Sequence, residues 1–238
     1  MSDPIRDNAR ERMKKFCRVC PECNGRACAG EVPGMGGLGT GASFRNNYDA
    51  LAAVTLNMTA LHDVKEPDPS TTVLGMKLSV PALAAPIGGA GFNMCPDESE
   101  DVYIDAVLGG CAAAGTMGCT GDGVPPYIIE AARKAISAHS GIPFIKPWEG
   151  AELKEKLDYV IALNPPAIGM DVDAAGLVTL RKMGRPVTPM GVAELTEVCS
   201  YLHEKGQKFI VKGIMTPADA LKVASAGCDA IVVSNHGG

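Results

Sequence analysis

From about residue 80 onward the chain alternates short apolar runs with amphipathic stretches, and this alternation restricts its fold more than any other feature. The apolar runs are Ala82–Pro86, Ala113–Met117, Pro143–Lys146, Ala167–Val172, Lys208–Lys212 and Asp229–Ser234. Most lack a strict polar alternation, as expected of strands covered on both faces. Between them the pattern predicts helices over Pro96–Ala114, Pro125–Ser140, Ala151–Leu163, Val192–Lys205 and Pro217–Ala226. Thr216-Pro217 reads as an N-cap followed by proline at the first helical position, and Lys205-Gly206 and Ala226-Gly227 read as helix ends. Strand–helix units repeated at roughly 25–35 residues build an α/β fold around a parallel sheet. Six such units fit. A doubly wound sheet works with six strands, whereas a (β/α) barrel needs eight, and the pattern alone does not separate the two.

With 46% hydrophobic residues in 238, the chain can bury a substantial core. Its formal charge of -5, with no basic stripe to offset it, argues against a nucleic-acid partner. No apolar run approaches the roughly 20 residues needed to span a bilayer, so no membrane partner is expected. The N-terminus, Met1-Ser2-Asp3-Pro4-Ile5-Arg6-Asp7, is too polar for a secretory signal. The nine cysteines are therefore read as thiols or ligands, and the expected location is cytoplasmic.

Four of those cysteines, Cys17, Cys20, Cys23 and Cys28, are packed at C-x2-C-x2-C-x4-C spacing. Two-residue gaps allow thiolates to converge on zinc or an iron–sulfur cluster. The competing reading is four free thiols, with Cys17 and Cys20 one turn apart at the end of a helix over Asp7–Phe16. The glycine-rich stretch 30–47 does not follow a strand and lacks the lysine of a phosphate loop, so it is read as a connector. Residues 1–43 thus form a cysteine-rich segment and connector, and 44–238 a single α/β domain. The last run of that domain leads into Ser234-Asn235-His236-Gly237-Gly238. A histidine there can move protons near neutral pH, where parallel α/β proteins place their chemistry.

From about Phe44 the chain resembles the FMN-dependent 2-hydroxy-acid oxidase and dehydrogenase family. The resemblance rests on Thr71–Pro81 with Ala84–Gly88, on Ala113–Met117, on Phe209–Ile214 and on Ile231–Gly238. It is most specific where Lys212-Gly213 ends one run and Ser234-Asn235-His236-Gly237 ends the next, one helix apart. The resemblance implies a TIM (β/α)8-type barrel with about six of eight βα units present, following the cysteine-rich extension. It implies an FMN cofactor and oxidation of a small 2-hydroxy acid or related alcohol, with hydride passed to flavin N5. His236 would be the base, and Asp173 its carboxylate partner, with Asp171 two residues away on the same strand face. Lys212 would lie beside the flavin N1–C2=O edge, the backbone of Pro86, Ile87 and Gly88 along the ring, and Ser234 against the cofactor.

Several positions depart from the family pattern. Lys146 stands where a glutamine is usual and reads as a second flavin-binding cation or an exposed strand end. Trp148 stands where a tyrosine would hydrogen-bond a substrate carboxylate, and Arg181 and Arg185 only approximate the position of a substrate-binding arginine. Two other readings therefore stand beside the first: an FMN barrel of the isopentenyl-diphosphate isomerase type, or a non-catalytic metal-binding or interaction fragment. The resemblance places two further βα units after Gly238, so the chain is expected to be a fragment with open sheet edges, weak FMN binding and a tendency to aggregate. The expected partners are a small-molecule substrate and a second copy of the chain.

Overall fold

The computed structural model describes residues 3–13, 16–31, 36–185 and 187–238, and the chain divides into two compact units. The first contains Met1–Pro69, Met94–Pro96 and His236–Gly238; the second contains Ser70–Asn93 and Asp97–Asn235.

In the first unit, helix α1 (Pro4–Arg12) starts at Asp3, whose carboxylate accepts from the backbone amides of Ile5 and Arg6. The helix expected over Asp7–Phe16 is shifted toward the N-terminus, because Asp3-Pro4 supplies both cap and first-turn proline. Cys17 and Cys20 consequently lie beyond the helix. Helix α2 (Ala42–Ala52) follows the glycine stretch, where the Leu38 amide donates to the Gly238 carbonyl and the Gly41 amide to the Leu38 carbonyl, both at 2.9 Å. Val32–Met35 of that stretch lie outside the described residues. Residues 53–69 form neither helix nor strand and leave Leu56, Met58 and Leu61 more than nine-tenths exposed.

The second unit opens with a hairpin of β1 (Thr71–Val73) and β2 (Met76–Leu78), turned by Leu74 and Gly75 at φ 50° and 84°. Six parallel strands follow: β3 (Leu83–Ile87), β4 (Met117–Thr120), β5 (Ile142–Ile145), β6 (Ile168–Asp171), β7 (Phe209–Ile214) and β8 (Ala230–Val233). Their order in the sheet is their order in the chain. A doubly wound sheet reverses direction at a switch point, whereas a barrel sheet winds one way only. The strand order therefore decides for a partial TIM barrel, which the sequence pattern had left open.

After β3 come the short α3 (Ala90–Asn93) and α4 (Glu100–Ala113), capped by the Ser99 hydroxyl. Helices α5 (Pro126–His139) and α6 (Gly150–Ile161) follow β4 and β5. A 3-10 turn (Val172–Gly176) and α7 (Val178–Lys182) leave β6 before α8 (Val192–Glu204), and α9 (Pro217–Ser225) links β7 to β8. The predicted helices and strands agree with these to within a few residues, except that β4 begins where the expected run Ala113–Met117 ends. Ala113 instead completes α4, and Gly115 at φ 70° makes the left-handed turn that closes the helix.

Two apolar layers line the sheet. On the helix side Ile145, Ile168, Met170, Phe209 and Val211 pack against Leu157, Val160, Leu195, Leu202 and Val223. On the concave side Cys119, Ile142, Phe144, Ala167 and Ile210 pack with Met76 and Leu78 of the hairpin. Each of the larger side chains contributes roughly 1.5–3 kcal/mol by leaving water. Strands β5 and β6 are buried throughout, whereas the edge strands expose Leu83 at 43% and Val233 at 70%. Among the described residues no helix is long and apolar enough to cross a membrane.

The start of β7 is held by a polar cluster. Asp229 accepts from the Phe209 amide at 2.8 Å, from Lys208 Nζ at 2.9 Å and pairs with His203 Nε2 at 2.7 Å. Burial pushes its carboxyl up, but those three partners outweigh it and hold the carboxyl below its ordinary value. A carboxyl depressed on folding stabilises above its unfolded pKa, near 3.9, and that contribution is lost as pH falls through the lower folded value. Asp229→Asn is expected to cost about 1–3 kcal/mol at pH 7, and the gap from the parent should shrink as pH drops below about 4. Denaturation midpoints across pH check this; a gap unchanged from pH 7 to acid would refute the charged role.

Candidate functional site

Side chains in a strand alternate between faces, so each inward-facing core residue predicts the next inward position two residues on. Stepping up from Phe144 in β5 leads to Lys146, from Gly169 in β6 to Asp171, from Ile210 in β7 to Lys212, and from Val232 in β8 to Ser234. The apolar layer is thus followed, at the C-terminal strand ends, by a polar one.

Three of these residues form a continuous ionic row across adjacent strands. Lys212 Nζ lies 3.0 Å from Asp171 Oδ1, and Lys146 Nζ lies 3.8 Å from Asp171 Oδ2. Lys212 Nζ is also 3.7 Å from Asp173 Oδ2 on the 3-10 turn after β6. Lys146 and Lys212 are each only 8% exposed and Asp171 3%. Charges are left this far from water only when paired. Lys146 is therefore not an exposed strand end. Asp171 is the central carboxylate of the row, and Asp173 flanks it. The approach of Asp173 depends on Gly213, at φ 109°, where a Cβ would stand 2.7 Å from Asp173 Cβ.

The remaining sites expected from sequence fall as follows. Pro86 and Gly88, at the end of β3, are half-buried, and Ile87 between them is 38% exposed. Gly88 packs on the end of β4: the Gly121 amide donates to the Ile87 carbonyl at 3.3 Å, and a Cβ on Gly121 would lie 2.5 Å from the Gly88 nitrogen. Ser234 is half-buried just beyond β8. His236 belongs to the first unit, three residues past the last residue of β8, half-buried and at φ 61°. A left-handed backbone is uncommon for a residue with a side chain and clusters at functional positions.

Cys17, Cys20, Cys23 and Cys28 form no disulfide, and among the described residues no three of their sulfurs lie within 4.8 Å of one another. Four thiolates about 2.3 Å from one zinc would stand near 3.8 Å apart, closer than any three of these sulfurs are here. Burial pushes the Cys28 thiol up. Trp148 is 4% exposed and packs with Ala174, Leu180 and Val187. Arg185 is spent on both oxygens of Glu152 at 2.6 and 2.7 Å, and Arg181 points to the Ala175 carbonyl.

Sequence reasoning missed the group that holds Trp148. Asp122, just past β4, accepts from Trp148 Nε1 at 2.6 Å and from the Lys146 amide at 3.2 Å through one oxygen. Its other oxygen accepts from Lys156 Nζ and the Gly123 amide, both at 2.7 Å. Lys156 also sits 4.3 Å from the centre of the Trp148 ring. Lying between two glycines, Asp122 reads in sequence as an ordinary loop aspartate. Glu100 likewise fixes the turn after β3, accepting from the Gly89 and Ala90 amides at 2.9 and 2.7 Å while 6% exposed.

The family model for FMN-dependent dehydrogenase matches residues 34–182 and 187–238. An L-lactate oxidase of Lacticaseibacillus rhamnosus is 26% identical, over 85% of this chain and 61% of its own length. An L-lactate dehydrogenase of Caulobacter vibrioides is 25% identical, over 85% of this chain and 66% of its own. The chain thus spans a little under two thirds of the length of these relatives. Among solved structures, a lactate oxidase from Pediococcus acidilactici superimposes with a TM-score of 0.69 at 19% identity, over 99% of this chain and 67% of that one, a likeness of fold.

Proposed function

The chain belongs to the FMN-dependent dehydrogenase family, and from that premise we propose that it serves an FMN-dependent oxidation of a small 2-hydroxy acid. The observation that carries this reading is the buried row Lys146–Asp171–Lys212 at the inner strand ends. Ammonium groups held above an apolar layer fit a planar ring with an electron-accepting polar edge. The names of the curated relatives support a 2-hydroxy acid such as L-lactate.

When bound, FMN supplies the two-electron acceptor. The chain's own residues do the rest. His236 receives the proton of the substrate hydroxyl oxygen on a ring nitrogen. Asp173 is the carboxylate assigned to orient that imidazole and stabilise its protonated form. Lys212, held by Asp171 and Asp173, presents fixed positive charge where negative charge accumulates, at no cost of reorganisation. Pro86, Ile87, Gly88 and Ser234 are the remaining residues assigned to the cofactor. Phe144 and Ile210 keep water from below the row.

Anaerobic addition of L-lactate to the FMN-loaded protein is expected to bleach the visible flavin band. A yellow protein unaltered by L-lactate and other small 2-hydroxy acids would refute the substrate class. Lys212→Met is expected to slow that bleaching by about 10²–10³-fold, the scale for removing one preorganised electrostatic group. An unchanged rate would remove Lys212 from the mechanism.

A further inference from the structure

Two ammonium groups share one carboxylate at the inner strand ends. Lys212 lies within 3.7 Å of both Asp171 and Asp173, whereas Lys146 reaches Asp171 alone, at 3.8 Å. In these contacts two ammonium groups stand against two carboxylates. Lys146 is 8% exposed, so solvent does little to dilute its field. Its position is also imposed rather than incidental: its own amide is tied to Asp122, and the neighbouring Trp148 is pinned to the same carboxylate.

We propose that Lys146 sets the charge of the cofactor pocket, allowing the row to accept added negative charge and so favouring reduced over oxidised FMN. This deepens the functional reading above and rests on it. Without the Lys146 ammonium, the row would lose one of its positive charges beside Asp171. A unit charge roughly 7 Å away, at an effective dielectric constant near 20, alters an equilibrium by some tens of fold. Oxidised and reduced FMN differ in charge at the ring, so they feel this difference unequally.

The test measures affinity for oxidised and for reduced FMN in the parent protein, in Lys146→Gln and in Lys146→Arg. In Lys146→Gln the ratio of reduced to oxidised affinity is expected to fall at least tenfold, equivalent to a drop of about 30 mV in the two-electron potential. Lys146→Arg keeps the charge and should stay within threefold of the parent ratio. Equal weakening of both redox states in Lys146→Gln would reduce Lys146 to a packing role and overturn the proposal. So would an unchanged ratio. A parent protein that binds FMN but ignores 2-hydroxy acids would refute the substrate class and leave this proposal standing; one that binds no FMN would overturn both.

Discussion

His236→Ala is expected to lower turnover with a 2-hydroxy acid by about 10²–10⁴-fold while leaving FMN bound. In the proposed reaction the hydroxyl proton leaves as electrons pass to the acceptor, and without His236 as base only water would take it. The backbone complicates a simple truncation. His236 sits at φ 61°, where alanine pays a strain of order 1–2 kcal/mol. His236→Asn is therefore the matched control, because asparagine tolerates the left-handed region but cannot act as a base near neutral pH. Both variants should retain flavin and lose turnover together. Near-normal rates in His236→Asn would end the assignment of His236 as base.

The second large effect falls on stability. Asp122→Ala is expected to destabilise the chain by about 3–5 kcal/mol, a large share of the roughly 5–15 kcal/mol that holds a typical domain together. The mutation leaves the Lys156 ammonium, whose side chain is 16% exposed, without its carboxylate partner, and strips the acceptor from the Trp148 indole. Asp122→Asn retains an acceptor for Trp148 and should cost less. Denaturant midpoints separate the two; a loss below about 1 kcal/mol in Asp122→Ala would show that the network is dispensable. The same carboxylate fixes the Lys146 amide, so the destabilised variant should also lose discrimination between FMN redox states.

Most of the frame was legible in the sequence. Thr216-Pro217 announces α9 because a hydroxyl acceptor and a proline answer a local need of every helix start, and the structure shows that hydroxyl accepting from the Asp219 amide. The apolar runs of β5, β6 and β7 were equally plain, since strands covered on both faces need little else. The errors arose where one residue served two possible elements. Ala113 suited both the end of α4 and the start of a strand, and Gly115 decided for the helix end. For the cysteine run, spacing along the chain reports only what could converge, and it left a ligand set and free thiols side by side.

The sequence by itself determined the βα repeat and most helix limits, and it singled out Lys212 and His236 as candidates for the chemistry. These depend on local backbone preference and on the period of the side chains. Tertiary structure alone decided that the sheet winds one way, that Lys146 is a buried partner of Asp171, that Trp148 is core, and that Asp122 holds the ends of two strands together. The last three share one physical reason. A charge or an indole acquires its role from which groups replace its water, and those groups come from strands and helices distant in the chain.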